Sequence, residues 1–570
     1  MKVVKGIFLY LGIVIAAIIS LIVVVALLMF FFPTFRFFGL GILNEYVESE
    51  EKTIAISEYT QDYLNKIDFI VSAKSFDIEI NYVEPKDPST IPEGEEPEDY
   101  NVIKYSYVSN VLGFTTDKIS TRVYKSIELK DGVLTVSITQ AEPSGFLYFV
   151  DCKVIINVPI FTTDSSPYSY GIVANTKSGD VIINGIKEKD PPPENKNDNP
   201  DDDVEEDKGH YFNLRYLNVT TGSGSLDLNY VGTDKNGASI SSLVIFTESG
   251  NFDFTEIPNF TVSDTVQITA TKSKIAFKNL NASINVQSQE VDFSAEKITT
   301  GDDGCEMNAY AGKISITTLV TATSENIFIS NNCEINLDDV KGKTGINAGD
   351  ANVNIITMRD SAIIKSDKGN VTVKYMFGDL IDIISDSGNI VVDDYKKDGI
   401  FESNTGAICV YSTSTYVKGT KTRITTNSGK IRALIKANHL VLTTTGEADV
   451  RLAFQDVNEF SDATDSFEHT ITIAGKSRAK VYMPTLKEGT NDRVKYKFKA
   501  TGVITGSILG LTDIVTGSAK VSSYPGYQYY PSADSVDNTL TLSTFNFKGG
   551  HIEFEGYASW TFSPNGFFDL

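Results

Sequence analysis

Beyond its first forty residues, the chain places apolar residues in short alternating groups, each introduced by the same phrase. A hydroxyl or small residue precedes glycine, a polar residue follows, and then every second position is apolar. Ser178-Gly179-Asp180 leads into Val181-Ile182-Ile183, and Ser249-Gly250-Asn251 into Phe252-Asp253-Phe254. Ser387-Gly388-Asn389 leads into Ile390-Val391-Val392, and Ser428-Gly429-Lys430 into Ile431-Arg432-Ala433. The pattern returns after Gly224, Gly312, Gly369, Gly406 and Gly446. With each of these nine glycines as position zero, positions +2 and +4 are apolar in all nine, from Val181/Ile183 to Ala448/Val450. Position +3 is mostly polar: Asp227, Asp253, Ser315, Thr372, Arg432 and Asp449. A period of two predicts strands with one buried and one wet face. Glycine just before the strand is expected to supply the positive φ of a tight turn. Gly222, Gly345 and Gly475 lack the full pattern.

Weaker slots fill the gaps. Ser273 precedes Ile275/Phe277, Gln289 precedes Val291/Phe293, Glu325 precedes Ile327/Ile329, and Gly349 precedes Ala351/Val353. Steps of about 20 residues are a solenoid signature. One such repeat cannot bury its own apolar face, whereas stacked repeats share a continuous core. The expected fold is all-β: a parallel β-solenoid, β-helix-like, with an N-terminal transmembrane helix. An ordinary β-sandwich with regular turns is the alternative. The two differ in a checkable way. In a solenoid the strands near 371, 390 and 408 are parallel neighbours in sequence order, and Val391 points outward.

The transmembrane expectation rests on Gly6–Phe32, 27 residues without a charge. About 20 suffice to cross a bilayer. No small-residue cleavage site follows, so the run reads as an uncleaved signal anchor, with a cleaved leader as the alternative. Lys2 and Lys5 precede it, and Glu45, Glu48, Glu50 and Glu51 lie beyond it. That charge order predicts a single-pass cell-membrane protein with residues 41–570 extracellular. The chain then divides into an anchor (1–40), an N-terminal β region opening the solenoid (41–165), the repeats (166–475), and C-terminal β coils with a cap (476–570). The N-terminal region includes FDIEI (76–80), GVLTVSI (132–138) and KVIINVP (153–159). Within the repeats, residues 187–209 form an acidic insertion; these and Glu84–Tyr100 read as disordered surface insertions.

Charge narrows the partners. Acidic residues number 74 against 50 basic ones, a net charge of −24, which argues against nucleic acid and anionic lipid as ligands. Cys152, Cys305, Cys333 and Cys409 are far apart and read as buried thiols, with a Cys305–Cys333 bridge between coils as the alternative. The four histidines, His210, His439, His469 and His551, form no HExxH or Cys-His set, so no metal site is expected. There is no GxSxG elbow, Walker loop or GxGxxG opening a helix. Asp338-Asp339 and Asp393-Asp394 are adjacent pairs, which strands point to opposite faces. Asp227 and Asp253 could meet across coils, which keeps a polysaccharide-cleaving enzyme as a remote alternative. The expectation is no catalytic residue, no cofactor and no metal.

The strand at Gly132–Val136, the VxIxVP-like strand at Val154–Pro159 and the SGDVxI-like repeat at Ser178–Ile183 occur in that order. This combination resembles the bacterial family named putative adhesin, over about residues 65–475. The resemblance implies a cell-surface β-solenoid with a role in adhesion or envelope-stress response, and it supplies no catalytic residues. The acidic insertion and the glycine-less coils between 255 and 345 depart from the pattern. Two functions follow as expectations. One is a non-enzymatic, adhesin-like binding module with a glycan or envelope protein as ligand. The other is an envelope scaffold or stress-sensing component working through a membrane partner.

Overall fold

The computed structural model describes residues 13–25, 41–59, 65–73, 76–83, 102–115, 123–140, 145–160, 167–186, 210–232, 236–412, 419–437, 439–454, 466–473, 475–484, 495–501, 503–507, 541–542 and 551–557. They fall into two units, residues 1–264 with 272–274, and residues 265–271 with 275–570. Both are parallel β-solenoid.

In the second unit the long strands Ile284–Thr300, Cys305–Thr321 and Asn326–Lys341 pair in parallel. Pairing passes over one residue between Ser288↔Ala309 and Glu290↔Ala311, and again between Ala295↔Ile316 and Lys297↔Thr318. Each coil therefore bends twice within a continuous strand. Later coils are built from separate strands such as Val371–Met376, Ile390–Tyr395 and Ile408–Tyr411. These three are parallel neighbours in sequence order, with Val371↔Ile390↔Ile408 and Val373↔Val392↔Val410 in register. That excludes the sandwich. The +2 and +4 side chains of all nine glycine phrases are buried, as the alternation requires, and Val391 is half-buried on the outer side. Arg432 departs from the pattern: it occupies an outer +3 position yet is only 2% exposed.

The glycines are not there for positive φ. Of the nine, only Gly312 has it, at 110°. Seven of the others, from Gly224 to Gly446, are required by close approach between coils. A Cβ on Gly388 would stand 2.0 Å from the carbonyl oxygen of Gly369. On Gly406 it would meet Gly388 O at 2.0 Å, and on Gly429 it would meet Gly406 O at 1.9 Å. Gly224 and Gly250 stack on Gly179 and Gly224 in the same way, and Gly446 stands against Asn427. Two further columns run alongside. Thr176, Thr221, Thr247, Ser366, Ser385, Ser403 and Thr426 each lie three residues before a phrase glycine and are buried. Two of these hydroxyls close the corner, with Gly406 N donating to Ser403 Oγ (2.9 Å) and Gly429 N to Thr426 Oγ1 (3.0 Å), whereas those of Thr221, Thr247 and Ser385 make no hydrogen bond among the described residues. Asn370 and Asn389, one residue after the glycine, and Asn352, one residue after Ala351, each accept a backbone N–H from the next coil, Asn352 at 2.9, Asn370 at 3.0 and Asn389 at 2.9 Å.

Three weaker slots sit elsewhere than the sequence pattern placed them. Gly312 is in register with Val291 and Cys333, so the inward pairs of those coils are Phe293/Ala295 and Ile335/Leu337. Ile327 and Ile329, read as inward, are 40% and 39% exposed. Gly369 stacks on Ala351, not Gly349, and the inward pair there is Val353/Ile355. Gly475, which lacks the apolar pattern, nonetheless stacks on Gly446. Its +2 residue is the buried Ser477, whose Oγ accepts from Ala448 N and donates to Gly446 O, both at 2.9 Å.

The first unit does not stack in chain order. Phe76–Tyr82 lies between Gly145–Val158 and Val181–Asn184, with Ile78 opposite both Val154 and Val181. Lys66–Ala73 lies likewise between Val133–Gln140 and Ser169–Thr176. An asparagine column marks this order. Asn229 donates to Asn184 (2.8 Å), Asn184 to Asn81 (2.7 Å) and Asn81 to Asn157 (3.4 Å). Gly145–Val158 is closed on its other side by the antiparallel Val102–Thr115, which in turn pairs with Gly41–Glu48 and Lys52–Ala55. Antiparallel cover removes an edge that would otherwise recruit another chain. At the far end, His551–Tyr557 lies between Arg478–Pro484 and Val503–Ser507, again out of order.

Residues 13–25 are helical, and no described helix is long and apolar enough to cross a membrane. The rest of Gly6–Phe32, both acidic insertions and most of the C-terminal cap region lie outside the described residues.

Three substitutions separate these contacts. Gly388→Ala forces two backbones apart and costs about 1–3 kcal/mol or more. Ile390→Asp buries a charge without a partner and costs several kcal/mol or unfolds the protein. Val391→Asp, one residue away, costs about 1 kcal/mol or less. Urea unfolding of the three variants checks this order.

Candidate ligand-binding cleft

The opening coils of the second unit carry a cleft of about 380 Å³ on their outer face. Its floor is apolar, with Ile268 and Ile284 each 1% exposed. Alternation turns the residues between them outward. Gln267 and Thr269 come from Val266–Asn281, Asn285 and Gln287 from the next coil, and Glu306 from the one after. Asn285 is directly opposite Glu306 and donates to it at 3.4 Å. Thr265 and Asp303 close one end, the threonine Oγ1 donating to Asp303 Oδ2 at 2.8 Å. The lining thus offers amides, hydroxyls and two carboxylates, and none of its residues is cationic. Amides can donate and accept at once, so the set suits hydroxyl groups better than anions.

The borders differ from the floor. Ile327 and Ile329 are the register partners of Glu306 and Asn308, and they stand exposed along the next coil. Tyr310, two residues beyond Asn308 on the same strand, is 59% exposed. The pairing passes over Tyr310, so it stands at the bend of its coil and outside the cleft lining. A polar trough beside exposed aliphatic side chains suits a ligand with a hydroxylated edge and an apolar face.

The carboxylate pair considered from sequence is also real as a neighbour pair. Asp227 and Asp253 are opposite each other on adjacent strands of the first unit. The Asp227 carboxyl is held above its ordinary range by burial, and then by the charges of Asp180 and Asp253. Asp253 Oδ1 is engaged by Thr255, accepting its N–H at 2.9 Å and its Oγ1–H at 2.6 Å. Among the described residues no group of three or more His, Cys, Asp or Glu could hold a metal ion. All four cysteines are buried and unbridged. Burial pushes the Cys305 and Cys333 thiols up to about 12 and Cys409 to about 11, which leaves them unreactive at neutral pH.

His469 is fully buried, its ring 4.4 Å from that of Phe454. Burial, and secondarily His439, pushes it down to about 3.

No family model matches the chain, and no curated protein matches it. A crystal structure of a putative cell adhesion protein from Clostridium sporogenes is similar at 13% identity, with 49% of this chain and all of that chain covered. Its TM-score is 0.22, too low to carry an argument about fold or function.

The buried histidine makes a pH prediction. Its folded value lies below the unfolded one of about 6.5, so the stability it contributes is complete above pH 6.5. That contribution falls by about 1.4 kcal/mol per pH unit on descending toward the folded value near 3. His469→Leu, compared with the parent at pH 7 and pH 4.5 by urea unfolding, should lose less stability on acidification.

Proposed function

We infer that the chain is a membrane-anchored, cell-surface binding module that holds carbohydrate on its solenoid face and performs no chemistry on it. The observation that carries this is the amide-rich cleft, with Ile327 and Ile329 exposed on the coil beside it. A sugar presents hydroxyls at its edge and C–H groups on its faces, and the cleft and rim supply partners for both. The absence of cations from the lining favours a neutral or amino sugar over an acidic one at this position. The resemblance to adhesins in the ordered strands of 132–183 supports a surface role. The anchor is supported by the uncharged run Gly6–Phe32 and by residues 13–25, a helix whose isoleucines, leucine and valines are exposed on every side. A helix apolar all round is at home in lipid rather than water.

Two measurements test this. Full-length protein in detergent is titrated with a panel of neutral and amino-sugar oligosaccharides by calorimetry. Binding should appear, and Gln287→Ala and Glu306→Ala should each weaken it about tenfold, about 1.4 kcal/mol, without lowering the melting temperature. No binding to any oligosaccharide, or release of new reducing ends during incubation, would overturn the reading. Protease added to intact cells should digest residues 41–570 and spare the anchor; protection of that region would refute the topology.

A further inference from the structure

A second surface of the solenoid has the opposite electrostatics. Lys430–Ile435, Asp449–Phe454 and Arg478–Pro484 are consecutive parallel strands. Their outer positions are in register: Arg432↔Arg451↔Lys480 form one column, and Lys430↔Asp449↔Arg478 the next. Five of these six residues are cationic, in a chain whose net charge is −24. The block is bounded. Ala407 and Cys409 precede it in the columns, and His551 and Glu553 follow.

The one carboxylate is already neutralised. Arg432 Nη2 donates to Asp449 Oδ2 at 2.6 Å, and Nη1 donates to the Asp449 carbonyl at 3.0 Å. Arg432 is buried, so its charge serves Asp449 and not a ligand. Lys430, Arg451 and Arg478 are exposed, and no carboxylate among the described residues pairs with them. Elsewhere in this unit exposed cations do find acids in neighbouring coils, as in Arg359–Asp339, Lys368–Asp350 and Lys476–Glu447. Like charges directly opposite on adjacent strands are destabilising. Setting Arg451 directly opposite Arg432 therefore costs folding rather than helping it, and the same outer position takes Asn, Thr, Val and Cys in the preceding coils.

We propose that these three coils bind a linear anionic polysaccharide, independently of the cleft. The exposed cations Lys430, Arg451 and Arg478 lie one on each of three successive coils as diagonal neighbours about 7–8 Å apart, a row along which a linear polyanion can lie. Lysine and arginine both suit carboxylate or sulfate esters, and arginine engages them bidentately. Nucleic acid fits less well: a duplex, at one charge per about 1.7 Å, is repelled more strongly by the net charge of −24 than a polymer with one charge per sugar unit.

The test uses full-length protein in detergent and immobilised dextran sulfate, polygalacturonate, neutral dextran and duplex DNA. Dextran sulfate or polygalacturonate should be bound, neutral dextran and DNA should not, and the preferred polymer identifies the anion as sulfate or carboxylate. Arg451→Ser/Arg478→Ser should weaken binding at least tenfold, while Lys341→Ser, exposed on a distant coil, leaves it unchanged. For the parent, log affinity should fall linearly with log salt, and the double variant should reduce that slope by about two. The salt slope of the parent stands even if the variant folds poorly. Failure of the parent to bind either polyanion, indifference to the double substitution in a folded variant, salt-independent binding, or equal affinity for duplex DNA would each overturn the proposal.

Discussion

The coils of this protein approach one another to the distance of a β-ladder at their corners as well as along their strands, and that single constraint organises the rest. A carbonyl oxygen about 2 Å from where a Cβ would stand admits only glycine, and it does so again in the next coil. Because the register is fixed at the corner, every other position is also stacked on its equivalent. The buried hydroxyls beside the glycines, the asparagines after them and the aliphatic pairs inside are all columns set by this one contact. A polar group that finds its partner one coil away need not find it within its own repeat. The stacking does not satisfy every such group: among the described residues, Thr221, Thr247 and Ser385 in the hydroxyl column have side-chain oxygens without a hydrogen-bond partner.

Much of this was legible in the chain. Alternation located the inward pairs, and the spacing of Gly369, Gly388 and Gly406 located parallel neighbours. The reason for the glycines was not legible, because a close approach to another coil has no local signature, whereas a turn does. The seven hydroxyls three residues before a glycine stand in the sequence beside a second set immediately before it, and nothing local separates the two, although Ser178, Ser387 and Ser428 of the second set are exposed. Glu325-Asn-Ile327-Phe-Ile329 was misread because two outward isoleucines flank one inward phenylalanine, which inverts the pattern.

The candidate surfaces were hidden for the same reason. Gln267, Asn285 and Glu306 are unremarkable polar residues in three separate repeats, and only stacking turns them into one cleft. Arg432, Arg451 and Lys480 are likewise dispersed over three separate repeats of the sequence. A solenoid composes its surfaces across repeats, so a site appears as a column and not as a motif. The cleft and the cationic strip can therefore have opposite electrostatics on one unit without any compositional boundary between them.

The out-of-order strands of the first unit set a clock. Phe76–Tyr82 and Lys66–Ala73 find one of their partners in the segment near 169–184, as in the Asn184–Asn81 bond that spans 103 residues. Synthesis proceeds at about 5–20 residues per second, so those early strands wait roughly 5–20 seconds with an open edge before that partner exists. Through that interval the nascent segment has the exposure that invites mispairing. The middle coils, from Ile284 to Phe454, follow one another in order and can each dock as they emerge. The oldest part of the chain is the one with the longest wait, and it depends on being kept apart from its surroundings until its gap is filled.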